Sequence, residues 1–414
     1  MQQDIISNLA NPQALEALYR KDKTAFKQAF DTLYPSLENE LLADYWQARL
    51  HYERSDLSWG SNQEIGAIIV MALSAGMLVK FPDFFPINED TYYVRNFSFF
   101  VLPFLMLFFI WKRKLSPLKT TIALGLATIA CIFINLLPDD NSSDTLVLTC
   151  IHIPLFLWAL LGFTFVGSTK KELEKRLHFL RYNGELAVMS AVILITGFLM
   201  TGLSVGLFSL LDIDNLETYI ENMVKFGLPA TPIVATYVVQ RNPQLVNKVS
   251  SVIAKIFSPL VLMILVVYLF AVILTGKDPY NDREFLMLFN LMLIGVMALI
   301  LFSVVESSKG NRQRIGTFLV FALAIVAMLV NAIALSAIIF RISEWGITPN
   351  RLTVLGTNLL ILSHLCLVTY QLYQGLRTKE NTGKVEHTIT NYLPVYMVWT
   401  AVVCFLFPLI FQFG

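Results

Sequence analysis

Residues 316–340 read GTFLVFALAIVAMLVNAIALSAIIF, and no charged residue interrupts them. About 20 apolar residues in an α-helix cross a hydrocarbon core roughly 30 Å thick, so this stretch predicts a transmembrane helix. Similar apolar runs recur on both sides of it, which predicts an all-α, polytopic transmembrane helical bundle that contacts membrane lipids. The predicted spans, about eleven, are 65–79, 97–111, 118–137, 145–166, 186–211, 223–239, 252–275, 285–305, 316–340, 351–373 and 392–411.

The composition excludes several classes of protein. Hydrophobic residues make up 56% of the 414 residues and charged residues 15%, whereas soluble domains average about 45–50% and about 25%. The 31 basic and 30 acidic residues nearly balance, so no net basic field favours nucleic acid as a partner. The four cysteines all lie inside apolar runs without metal-ligand spacing, which argues against a disulfide framework and a zinc site.

The first sixty residues are polar and precede a transmembrane domain at 61–414. Asn11 before Pro12, Asp22, and the Pro35–Ser36 pair are signals for helix starts, and they predict three short amphipathic helices. We expect a small cytoplasmic helical head at 1–60. One interpretation is that these helices only pack together, and the other is that they form a docking surface for a cytoplasmic protein partner.

The connecting loops differ in charge, which predicts how the chain crosses the membrane. Lysine and arginine favour cytoplasmic loops. With a cytoplasmic N-terminus, the inward loops hold most of the basic residues, and acidic stretches such as Pro138-Asp139-Asp140 lie outside. An odd number of spans then places the C-terminus outside the cell.

The sixth predicted span contains two prolines, Pro229 and Pro232, within about 17 residues. Broken helices often mark the substrate site of transporters, although proline is also common in purely structural membrane helices. The sequence therefore predicts a broken crossing, with a re-entrant segment as the alternative. The charge distribution favours a full crossing.

The tenth predicted span carries a polar stripe. Thr353, Thr357, His364 and Gln371 are separated by four and seven residues, which places them on one helical face. Polar groups inside a membrane are costly and are candidates for function. We interpret His364, Thr357 and Gln371 as candidates to line a substrate path, and the alternative is simple hydrogen bonding between helices.

Two further polar residues lie inside apolar runs. Asn331 in the ninth predicted span and His152 in the fourth are candidates of the same kind, with helix packing as the alternative. No carboxylate lies deep in the predicted spans, which argues against coupling to protons or sodium.

No enzyme motif fits its required context. Residues Gly202 to Gly206 match G-x-S-x-G, but that motif needs a turn between a strand and a helix. Here it lies inside an apolar helix, where the glycines predict close packing. The sequence contains no nucleotide-binding loop and no metalloprotease motif, so we expect no cofactor and no catalytic residues.

The loop at 341–351 is the most distinctive connector. Thr348 before Pro349 predicts a helix start, and Gly346 predicts a turn. Glu344 has two arginines within reach, Arg341 and Arg351. We expect this carboxylate to bridge the two spans, so that Glu344→Ala is more harmful than either arginine change.

This loop also carries a family resemblance. The pattern Arg-x-x-Glu-aromatic-Gly-x-Thr-x-x-Arg at 341–351 resembles the bacterial family called domain of unknown function 4153. Phe257-Ser258-Pro259-Leu260, which opens a span rich in leucine and valine, is a further similar feature. The resemblance covers about 185–375 and implies a multi-pass protein of the bacterial inner membrane, without implying a reaction or a substrate.

Three functions remain open at this point. The leading hypothesis is a permease-like protein for a small or lipidic substrate. The alternative is a membrane scaffold or sensor whose head binds a cytoplasmic partner. A third hypothesis is an intramembrane enzyme that acts on a lipid-linked substrate.

Overall fold

A computed structural model describes most of the chain. The described residues are 2–9, 11–37, 41–50, 60–139, 143–167, 172–209, 216–242, 283–307, 313–378 and 383–412, with short stretches between 258 and 280. Every regular element among them is a helix. The chain divides into two compact units, Met1–Ser58 and Trp59–Gly414.

The first unit contains four short helices, one more than the sequence predicts. They are α1 (Gln2–Ser7), α2 (Pro12–Lys21), α3 (Lys23–Leu33) and α4 (Leu41–Leu50). Two of the three predicted helix starts are confirmed, because the Asn11 side chain accepts hydrogen bonds from the amides of Gln13 and Ala14, and Asp22 accepts one from the amide of Ala25. At the third, Pro35–Ser36, the structure has a 3-10 turn, and α4 begins at Leu41. The apolar faces meet in a core that contains Ile5, Leu15, Phe26, Phe30, Ala43, Trp46 and Leu50.

The second unit is a succession of long helices. They are α5 (Asn62–Val79), α6 (Glu89–Asn96), α7 (Leu102–Arg113), α8 (Pro117–Leu136), α9 (Asp144–Val166), α10 (Glu172–Ser209), α11 (Leu216–Arg241), α12 (Arg283–Ser307), α13 (Gln313–Trp345), α14 (Pro349–Thr378), α15 (Gly383–Ala401) and α16 (Phe407–Ile410). A single turn of 3-10 helix joins α6 to α7, and a π-helical turn joins α15 to α16.

Eight helical segments of the described residues are long and apolar enough to cross a membrane. They are Asn62–Val79, Glu89–Arg113, Pro117–Leu136, Asp144–Val166, Glu172–Gly202, Gly316–Trp345, Pro349–Arg377 and Gly383–Ile410. The protein is therefore a multi-pass membrane protein by the length and composition of its helices. Large apolar side chains remain exposed along these helices, for example Ile129 on α8 and Ile195 on α10, and such surfaces suit contact with lipid.

The remaining three predicted spans do not meet this criterion among the described residues. The span predicted at 223–239 lies on α11, whose first half includes Glu217, Glu221 and Lys225. The span predicted at 285–305 lies within α12, and the apolar part identified among its described residues is Asn290–Val304. The span predicted at 252–275 falls mostly outside the described residues.

Helix α11 lies antiparallel to α5, and charged side chains join the two helices at both ends. Glu64 at the start of α5 pairs with Arg241 at the end of α11, and also with Lys112 near the end of α7. Beyond the other end of α5, Asp83 pairs with Lys225 of α11. These contacts hold α11 along the whole length of α5.

Two large apolar cores, with a small third cluster of Leu148, Val403 and Phe407, hold the second unit together. The first is built mainly from α7, α8, α9 and α11, and includes Phe109, Ile153, Leu157 and Ile233. The second is built from α12, α13, α14 and α15, and includes Ile300, Ala327, Leu365 and Ile389. The second core surrounds the polar residues described next.

A candidate polar site between three membrane helices

His364 lies in the middle of α14 and is completely buried. Its Nδ1 atom lies 3.0 Å from the hydroxyl of Tyr396 on α15. The ring of Tyr392, one turn earlier on α15, stacks on the imidazole with ring centres 4.3 Å apart. The histidine is therefore held on one side by two aromatic rings of the neighbouring helix.

The same face of α14 makes a second polar contact with α15. The indole nitrogen of Trp399 donates a hydrogen bond to the hydroxyl of Thr357 at 3.0 Å. Trp399 packs over Gly356, where even a Cβ atom would collide with the indole ring. A glycine at this position lets the large ring approach the helix closely enough to reach Thr357.

Asn331 of α13 lies at a similar depth. Thr369 of α14 donates a hydrogen bond to the sulfur of Met328 on α13 at 3.4 Å, which fixes the antiparallel register of these helices. Asn331, three residues beyond Met328, is then within about one helical turn of the level of His364. Asn331 is also completely buried.

Three polar atoms of these two side chains are buried without a hydrogen-bond partner among the described residues. They are Nε2 of His364 and both the nitrogen and the oxygen of the Asn331 amide. Each unmade bond of this kind costs about 1–3 kcal/mol. Buried polar groups in native proteins are nearly always paired, so each exception requires an explanation.

Each of these side chains can donate or accept a hydrogen bond. The Asn331 amide offers both kinds of group. A neutral imidazole carries one N–H, so the role of Nε2 depends on the tautomer. If Nδ1 accepts a hydrogen bond from the Tyr396 hydroxyl, Nε2 carries the proton and is a donor. If Nδ1 donates to Tyr396, Nε2 is an acceptor. The arrangement therefore suits a neutral polar group such as a hydroxyl or an amide.

The other members of the predicted stripe on α14 do not join this site in the same way. Thr353 donates its hydroxyl to the carbonyl of Pro349 in its own helix. Gln371 is only partly buried. The structure therefore brings Thr357 and His364 together with α15, and leaves the two ends of the stripe outside that contact.

His152 also bonds within its own helix, since its Nδ1 atom lies 2.8 Å from the carbonyl of Leu148. It belongs to α9, which contributes to the first core. This hydrogen bond to the preceding turn explains a buried histidine without a substrate path.

Pro229 and Pro232 lie within a continuous helix, so the prediction of a broken span is wrong for the described structure. Helix α11 runs through both prolines from Leu216 to Arg241, because the neighbouring helices hold it on both sides. Thr236, one turn after Pro232, donates its hydroxyl to the Pro232 carbonyl and also contacts the hydroxyl of Tyr182 on α10. The two prolines belong to a helix that contributes Ile233, Tyr237 and Val239 to the first core.

The connector at 341–351 is held by an arginine and not by the predicted glutamate bridge. Arg351 donates hydrogen bonds to the carbonyls of Trp345 and Gly346, both at 2.8 Å. Gly346 has a φ of +77°, as predicted for a turn that favours glycine. Thr348 accepts a hydrogen bond from the amide of Arg351 at the start of α14.

Glu344 in this connector is exposed, and its carboxylate forms no ion pair with the arginines of the described part. The guanidinium groups of Arg341 and Arg351 instead lie over the indole of Trp345, at 5.5 and 5.7 Å from its centre. The predicted bridge is therefore wrong, since Arg351 bonds to carbonyl groups at the end of α13 and both guanidinium groups lie over an aromatic ring.

Sequence reasoning missed several residues of the site. Tyr392, Tyr396 and Trp399 are spaced by four and three residues, so the helical period of the last span contains the signal for one aromatic face. It also missed Glu185, which is buried within the apolar stretch of α10, because the predicted span began at residue 186. Glu185 lies where the polar segment 172–184 meets that apolar stretch, so the expectation of no deep carboxylate stays a prediction.

Comparison with known proteins does not identify the chain. No protein family, no curated protein and no solved structure matches it. Within the described ranges, no group of three or more potential ligand side chains could hold a metal ion. The interpretation of the site therefore depends on its geometry.

Proposed function

We propose that this protein is permease-like and that its substrate path lies between α13, α14 and α15. The substrate is a small or lipidic molecule with a neutral polar group. The observation that carries the proposal is that His364 and Asn331, at similar depths on neighbouring helices, are both fully buried and have unpartnered polar atoms. A polar group that passes between the helices would satisfy those atoms.

The aromatic face of α15 supports this proposal. Tyr392 and Tyr396 hold the imidazole so that Nδ1 is engaged and Nε2 is left over. A histidine that served only to join two helices would be explained by the Tyr396 hydrogen bond alone. The additional orphan atoms of Asn331 at the same depth favour a path over simple packing.

We propose further that the chain crosses a bacterial inner membrane about eleven times, with the N-terminus in the cytoplasm and the C-terminus outside. We also propose that the chain is a member of the family called domain of unknown function 4153. The basic residues near the start of α5 support this orientation, since Lys112 and Arg241 both contact Glu64 there. Basic residues concentrate on cytoplasmic sides.

Contacts between helix ends support an odd number of crossings. Arg95 of α6 donates to the carbonyl of Leu137 at the end of α8, on the side of the membrane opposite to Glu64. Thr149 near the start of α9 donates to the carbonyl of Cys404 at 3.4 Å. The end of the chain would then lie on the side opposite to the start of α5.

The test is complementation of a deletion strain, read as an unbiased comparison of its metabolites and lipids. We expect wild-type protein to restore the normal profile, whereas His364→Phe and Asn331→Leu fail although they are inserted and folded. Cys366→Ala, a change on the exposed face of α14, is the matched control and should complement. Full complementation by both site variants would refute the path.

The same strain separates this proposal from a scaffold. A protein whose head only binds a partner would lose all function when residues 1–58 are deleted, even with an intact membrane unit. Partial activity of that truncated protein, together with inactive His364→Phe, supports transport.

A further inference from the structure

A second feature lies away from His364, where α6 approaches the end of α8 and the start of α9. A cavity of about 540 Å³ opens there, lined by parts of all three segments. One part of its wall is polar and includes Asn88, Asp90, Thr91 and Asp139. The other part is apolar, so the cavity suits a ligand that has both a polar and an apolar part.

The arginine of this cavity is already engaged. Arg95 is buried and donates to the carbonyls of Ile134, Leu137 and Pro138, and to the carboxylate of Asp139. Cations at a helix C-terminus are stabilised by its free carbonyls. The guanidinium group of Arg95 is therefore bound to the C-terminal end of α8 and does not point to a ligand.

The remaining charge of the polar wall is negative. Asp139 pairs with Arg95, and Thr91 donates its hydroxyl to the second oxygen of Asp139. Asp90 is exposed, in the first turn of α6, and forms no ion pair among the described residues. With two carboxylates against one guanidinium, the wall is complementary to a cation.

The apolar wall continues along the outside of the helices. Val147 and Ile151 line the cavity and are about half exposed, as is Leu155 one turn further along α9. These three residues form a stripe about 12 Å long at about 1.5 Å per residue. Phe97 also lines the cavity and has an exposed ring, and aromatic faces attract cations.

We propose that this cavity binds a membrane amphiphile with a primary ammonium headgroup, of the phosphatidylethanolamine type. The ammonium group is placed between Asp90 and Asp139, where it can donate hydrogen bonds to both carboxylates. One acyl chain follows the stripe of Val147, Ile151 and Leu155. The cavity meets the apolar surface at the level where α8 ends and α9 begins, which is where a headgroup joins its chains.

The test measures which lipid the purified full-length protein retains, by native mass spectrometry after exchange into nanodiscs of defined composition. The lipids are phosphatidylethanolamine, phosphatidylcholine and phosphatidylglycerol with identical chains. We expect wild-type protein to retain the ethanolamine lipid about five-fold more than either competitor, the scale of one exposed charged contact.

The variants locate the binding. Asp90→Asn should remove the preference for the ethanolamine lipid, whereas Glu89→Gln, an adjacent change outside the cavity wall, should keep it. Ile151→Trp should reduce retention of all three lipids, and Ile132→Trp on the exposed side of α8 is its control. Equal retention of the three lipids by wild-type protein would overturn the proposal. A preference for phosphatidylglycerol, or an unchanged preference in Asp90→Asn, would overturn it as well.

Discussion

Arg351 donates two hydrogen bonds to carbonyls at the end of α13 and lies over the ring of Trp345. We expect Arg351→Ala to lower the free energy of unfolding by about 1–3 kcal/mol, because it leaves these carbonyls without a charged donor. Glu344→Ala should change it by less than about 0.5 kcal/mol, since the side chain is exposed. Thermal unfolding in detergent compares the two, and a larger effect of Glu344→Ala would restore the predicted bridge.

Residue identity alone indicates which polar side chains to examine, but not what they contact. His364 and Asn331 are predicted candidates because each interrupts an apolar run. The same criterion selects His152, whose Nδ1 atom bonds to a carbonyl of its own helix. The difference depends on which side chains the neighbouring helices present, and this is set by packing that no single segment encodes.

At the scale of the element, α11 gives a prediction about its prolines. We expect the double change Pro229→Ala and Pro232→Ala to leave membrane insertion and complementing activity unchanged, since the helix is already continuous and contacts the first core. Alanine also restores two backbone N–H donors. The activity of the double variant is measured by complementation of the deletion strain, with His364→Phe as the inactive reference. Loss of activity in the double variant would mean that these prolines contribute to the substrate path.

Helix positions are the part of the fold that the sequence predicts best. The predicted spans at 316–340 and 351–373 fall inside α13 and α14. Extents are predicted less well, because an apolar run ends where hydropathy falls, whereas the helix continues. Helix α10 shows this difference, since it begins at Glu172, well before the predicted span at 186.

At the scale of the whole molecule, the orientation is open to direct measurement. Reporter fusions after Lys114 and Lys175 should give cytoplasmic signals, and those after Asp139 and Phe411 should give external signals. The physical reason is the excess of basic residues on the side of Lys114. A cytoplasmic signal after Phe411 would mean that one of the proposed crossings is absent, and α11 would then be the first to reconsider.

The grouping of helices around the polar site is not predictable from one sequence. Neither the stacking of Tyr392 on His364 nor the close approach of Trp399 to Gly356 follows from periodicity. Both depend on the register between α14 and α15, which is set by the joint packing of the second core.

The measurement that tests the central claim most directly is the access of water to positions 331 and 364. In a protein whose native cysteines are replaced by alanine, Asn331→Cys and His364→Cys should react with a small charged thiosulfonate reagent. Cysteines at Ala334 and Leu365, which are equally buried beside them, should remain unreactive because they face packed apolar groups. Labelling at 331 and 364 alone is the result that a substrate path predicts. If all four positions stay unreactive in the folded protein, His364 and Asn331 are packing residues and the proposed path does not exist.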